Sequence, residues 1–116
     1  MEIWHNPRCS KSRAAKQALD EAGTEYTERR YLDTPPTAAE LTEVLAKLGL
    51  EPWDITRTGD PAARDLGVAD LPRDAANRDR WIRLLAGNPA LIQRPIVIDG
   101  PRAVVARTEE SLREIR

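Results

Sequence analysis

Met1-Glu2-Ile3-Trp4-His5-Asn6-Pro7-Arg8-Cys9-Ser10-Lys11-Ser12 is the stretch on which the fold turns. Met1 to Trp4 reads as a short strand that runs into a loop, His5 to Arg8. A helix follows over Lys11 to Ala22, because Ala14, Ala15, Ala18, Leu19 and Ala22 recur on one helical face. Gly23 is the expected C-terminal stop. Glu25 to Leu32, with Tyr26 and Tyr31, is β-prone and reads as a second strand. A strand, a helix and a strand in this order make a right-handed βαβ unit.

Outward from this unit, Thr34-Pro35-Pro36 is a stiff connector. Thr37 and Glu40 form a T-x-x-E capping box. The helix behind it is expected to bury Leu41, Val44, Leu45 and Leu48 and to end at Gly49. Pro52, Gly59, Pro61 and Gly67 then break the chain into short helices. Asp74 is placed to cap a further helix with Trp81, Leu84 and Leu85 on one face. Pro95 to Ile98 reads as a strand, Asp99-Gly100 as a hairpin turn and Arg102 to Ala106 as the antiparallel partner. Thr108 opens a last helix carrying Leu112 and Ile115. The order predicts an α/β protein of thioredoxin-like topology with a mixed four-stranded sheet. It is a single domain over 1–116, with its core at about 1–36 and 90–116 and a helical lobe inserted at about 37–89.

Composition narrows the function. The chain has 116 residues, 32% charged and 41% hydrophobic, with a formal net charge of −1. It is globular and polar-surfaced, and nothing in that balance points to nucleic acid. The N-terminus has no basic n-region followed by an apolar one, and no apolar run approaches a bilayer span. A cytoplasmic protein without membrane attachment is expected. One Cys excludes an internal disulfide, and one His makes a His-based metal site an unfavourable reading.

The chemistry centres on Cys9, at the junction of the loop and the first helix. Helix N-termini present free N–H groups and partial positive charge, which favour a thiolate and seat an oxyanion. They lower a cysteine pKa from about 8.5 to as little as roughly 3.5–7.5. Arg8, Lys11, Arg13 and His5 are near enough in sequence to contribute. Cys9 to Ser12 is a C-x-x-S pattern, so an external thiol must complete any redox cycle. Ser12 is positioned to donate a hydrogen bond to the Cys9 sulfur. Arg57, Arg94 and Arg107 fall on loops or irregular segments. Converging on a helix N-terminus, they would bind a divalent tetrahedral anion. Trp4, Trp53 and Trp81 read as packing residues.

His5 to Arg13 resembles the active-site loop of the glutaredoxin-linked arsenate reductase family. Tyr31 to Pro36 resembles its Y-L-x-T-P segment, Leu91 to Val97 its L-I-x-R-P-I-V block, and Val105-Ala106-Arg107 its late arginine segment. The resemblance is to the compact branch of that family, and it implies a cis peptide bond before Pro95. It also implies that Cys9 is the nucleophile and that Arg57, Arg94 and Arg107 bind arsenate, with His5, Asn6 and Ser12 supporting. No resident cofactor is implied; glutathione and glutaredoxin act as external reductants and partners.

Two other readings share the fold. One is a regulator resembling the Spx group, which binds RNA polymerase; Ser12 in place of a second cysteine counts against its disulfide switch. The other is a thiol oxidoreductase acting on glutathionylated substrates, which would not need the arginines.

Overall fold

A computed structural model of the chain describes residues 1–115, without the side chains of Glu109 and Ile115. The expected packing of Ile115 and the domain's end at Arg116 lie outside the described residues. The elements are β1 (Glu2–Trp4), α1 (Ser10–Glu21), β2 (Thr27–Arg29), α2 (Ala38–Leu48), α3 (Pro61–Asp65), α4 (Arg78–Gly87), β3 (Ile96–Asp99), β4 (Arg102–Val105) and α5 (Glu109–Ile115). Short 3-10 turns lie at Pro52–Ile55, Val68–Asp70, Ala75–Asn77 and Pro89–Leu91. The sheet order is β2-β1-β3-β4. β1 and β2 are parallel, while β1–β3 and β3–β4 are antiparallel. This is the mixed sheet of the thioredoxin-like fold. Among the described residues, no helix is long and apolar enough to cross a membrane.

The sheet alternates with the period of two expected of strands. Trp4 pairs with Ile96 and Ile3 with Val97. Trp4 and Ile96 face a core built with Leu41, Val44 and Leu45 of α2 and Trp81, Ile82 and Leu85 of α4. Ile3 and Val97 face the other way, against Ala15 and Leu19 of α1 and Leu112 of α5. Helices therefore cover both faces, and the larger core lies on the side of α2 and α4.

Several boundaries differ from expectation for physical reasons. β2 is only Thr27–Arg29, because it pairs in register with β1, which offers three residues. Tyr31 thus leaves the strand and is fully buried in the α2–α4 core. In α1, Ala15 and Leu19 are buried with Ser12, while Ala14 and Ala22 are exposed. In α4, Ile82 and not Leu84 completes the buried face. Asp74 caps the turn Ala75–Asn77, which then leads into α4.

The connection into α2 is tied down locally. Glu40 N–H donates to Thr37 Oγ1 at 3.1 Å, and Thr37 N–H donates to Glu40 Oε1 at 3.1 Å, a reciprocal capping box. Gly49 closes α2 at φ 67°, a left-handed cap that a side chain would strain. Arg29 of β2 pairs with the Glu40 carboxylate and stacks over the Trp4 ring at 5.5 Å. β1, β2 and the start of α2 are thereby held together at the end of β1, from which the chain runs on toward Cys9.

Candidate active site

The loop after β1 is built around one buried hydroxyl. Ser12 is fully buried in the first turn of α1. Its Oγ accepts the Asn6 N–H at 3.0 Å and lies 2.6 Å from His5 Nδ1. Burial is the main influence on His5 and lowers its pKa; Glu28 opposes this, and Lys16, Arg30 and Arg13 add to it. A neutral imidazole satisfies the cluster with Ser12 donating to Nδ1 and the ring proton on Nε2. Asn6 then closes the turn: its carbonyl accepts Cys9 N–H at 3.0 Å and its Oδ1 accepts Arg8 N–H at 3.0 Å. Among the described residues no hydrogen bond joins the Ser12 hydroxyl to the Cys9 sulfur, where the sequence suggested one; the hydroxyl meets His5 Nδ1 and the Asn6 N–H instead. His5 meets Ser12, not the cysteine. Ser12→Ala leaves the Asn6 N–H and His5 Nδ1 buried without a partner. We expect it to cost roughly 2–4 kcal/mol in urea unfolding; a loss below about 1 kcal/mol would show that the hydroxyl does not organise the loop.

Cys9 is the N-cap of α1, in extended conformation at φ −94° and ψ 123°. It is half-buried and its thiol is free. Burial is the largest influence and raises its pKa, but it is outweighed. The N–H of Ser12, the Arg94 side chain, the N–H of Lys11 and the positive charge of Arg94 together hold the thiol below its ordinary value. The stabilising cation therefore comes from Arg94, more than 80 residues away along the chain, and not from the sequence neighbours Arg8 and Arg13. Arg13 is engaged elsewhere, donating to the Pro7 carbonyl at 3.0 Å.

Arg94 enters from the loop before β3, where the Arg94–Pro95 peptide bond is cis, as the family resemblance implies. Its Nε–H is buried and has no hydrogen-bond partner among the described residues. The Tyr31 hydroxyl is in the same condition. Such groups forfeit their hydration without replacement, at about 1–3 kcal/mol each. Tyr31 is not among the site candidates that the sequence offers; its segment, Tyr31 to Pro36, reads as strand and connector, and the Y-L-x-T-P resemblance is the signal that points to it.

Arg57 and Arg107 come together, but not on the sulfur. They line one open cavity with Gln93, Asp60 and the turn Thr58–Gly59. Arg107 donates to Gln93 Oε1 at 3.0 Å and to the Arg94 carbonyl at 3.4 Å. Arg57 is paired with Asp60 at 3.1 Å. The Arg57 N–H to Leu91 carbonyl and Gln93 N–H to Ile55 carbonyl bonds, each 2.7 Å, fasten this segment to the loop that carries Arg94. Of the three arginines, Arg94 acts directly on Cys9, and the other two supply charge in the adjoining cavity.

A thioredoxin-like fold with a cysteine at a helix N-cap position and an arginine on the cis-proline loop defines a thiol protein with a cationic group beside its sulfur. The chain belongs to the ArsC family, whose model matches residues 4–115. An uncharacterized protein in the glnII region of Streptomyces viridochromogenes is 56% identical over 115 residues, covering 98% of this chain and 97% of that one. An arsenate reductase of Neisseria meningitidis serogroup A is 40% identical over 116 residues, covering 99% and 97%. Among solved structures, an arsenate reductase from Vibrio cholerae superposes with a TM-score of 0.90 at 33% identity, covering 100% of this chain and 98% of that one.

Proposed function

We propose that the protein is an arsenate reductase in which the Cys9 thiolate is the nucleophile, with glutathione and glutaredoxin as external reductants. The observation that carries this reading is the place of Cys9 at the N-cap of α1, where helix N–H groups and Arg94 meet its sulfur and favour the thiolate. The same donors that favour a thiolate favour an arsenate oxyanion in front of it. Arg57 and Arg107 are assigned to the oxyanion from the adjoining cavity. His5, Asn6 and Ser12 hold the loop in shape.

In this scheme a bond forms between the Cys9 sulfur and arsenic, an arsenic–oxygen bond breaks, and the oxygen leaves as water. Glutathione adds to the arsenic in the same way. A glutaredoxin thiol then takes the glutathionyl sulfur as a mixed disulfide, and the released electron pair reduces As(V) to As(III). Hydrolysis frees arsenite and returns Cys9. The chain's one cysteine makes the second and third thiols external. A reducing compartment such as the cytoplasm supplies them.

The test is arsenate-dependent turnover with glutathione, glutaredoxin and glutathione reductase, followed by NADPH oxidation. Turnover that requires both arsenate and glutaredoxin supports the reading; none with either reductant sinks it. In the same assay kcat/KM is expected to rise with pH through a Cys9 pKa below that of an ordinary thiol. Arg94→Ala removes charge that favours the thiolate, so its rising limb shifts to higher pH, and kcat/KM at neutral pH falls about 10–100-fold. An unmoved limb would assign the pKa to another group.

A further inference from the structure

Among the described residues, two buried hydrogen-bond donors beside Cys9 have nothing to donate to. Tyr31 is fully buried, yet its hydroxyl has no partner, and Arg94 Nε–H is also enclosed without one. Buried polar groups are nearly always paired, so two orphans in one place call for a common acceptor. They belong to one cluster, since Arg94, Asn6 and Cys9 are the charged and polar groups that act on the Tyr31 phenol. Burial raises the Tyr31 pKa more than Arg94 and Asn6, which approach the phenol oxygen as donors, lower it, so at neutral pH the phenol keeps its proton, for which the described residues offer no acceptor.

We propose that Tyr31 is an oxyanion-binding residue, its hydroxyl donating to an oxygen of the anion seated at Cys9 while Arg94 Nε–H donates to another. This rests on the reading of the site as an arsenate seat and adds to it a neutral donor held on the apolar core. A tetrahedral oxyanion offers several acceptor oxygens to one small space, which matches two convergent donors. Tyr31 is anchored by the core residues around it, so its hydroxyl is fixed before the anion arrives.

Tyr31→Phe keeps the ring and deletes the hydroxyl. Cys9 is the chain's one cysteine, so its alkylation by iodoacetamide reports a single sulfur. Arsenate is expected to protect the wild-type sulfur, and the arsenate concentration for half-protection is expected to rise roughly tenfold to a hundredfold in Tyr31→Phe. The arsenate-free variant is expected to melt at or above the wild-type temperature, because an unsatisfied hydroxyl has been removed. Equal protection of both proteins would overturn the role of Tyr31 and leave the anion seat standing. Failure of arsenate to protect the wild type would overturn the seat and Tyr31 with it. A variant that melts well below wild type would assign the hydroxyl to the fold and likewise overturn the proposal.

Discussion

Cys9→Ser is expected to lower arsenate turnover by about a thousandfold or more while leaving the melting temperature within a few degrees of wild type. A hydroxyl in this position stays protonated across the physiological range, because the helix N–H groups and Arg94 that hold the thiol below its ordinary pKa cannot bring an alcohol within reach. The serine oxygen is also a poor partner for arsenic and for the sulfur exchange that follows. Structurally the change is slight: serine is a favoured N-cap, and Cys9 at present makes no capping hydrogen bond. Steady-state turnover together with thermal unfolding checks both halves. Activity within tenfold of wild type would remove Cys9 from the reaction, whatever the family.

Trp81→Ala is expected to be the most damaging single change to stability, at about 3–5 kcal/mol. Trp81 is fully buried between α4 and the rest of the lobe. Trp53 packs edge-on against it with ring centroids 6.1 Å apart at 68°. Its indole N–H donates to the Pro72 carbonyl at 2.9 Å, so truncation empties a large volume and leaves that carbonyl without its donor. Domains of this size have roughly 5–15 kcal/mol in total. The loss is therefore about a fifth of the whole at the least, and a fall in Tm of more than about 10 °C is expected. A shift of only a few degrees would mean that the lobe folds without this ring as its centre.

Much of the fold was legible because its signals are local. The helix after Cys9, the Thr37–Glu40 box, the stop at Gly49 and the Asp99-Gly100 hairpin each depend on residues a few positions apart. What escaped depends on distant partners. Glu25 to Leu32 has strand composition throughout, but the length of β1 decides how much of it can pair. Tyr31 therefore turns inward to the core instead of lining an edge. The site divides the same way. Cys9 at a helix start was readable from spacing. The partner of Ser12 was not, because whether its hydroxyl meets sulfur or imidazole depends on the loop's path. Nor could sequence tell that Arg94 alone would meet the thiol while Arg57 and Arg107 gather with Gln93.

The sheet ends in β2 on one side and β4 on the other, three and four residues long. The outer strand β2 reads Thr27-Glu28-Arg29, with Arg29 clasped by Glu40 and Glu28 paired with Lys16 and Arg30. An invading chain would find few rungs there, and each would ask it to displace paired ions. A molecule that keeps a free thiol partly open to solvent has, by the same economy of strand length, few open margins on which copies of itself could zip together.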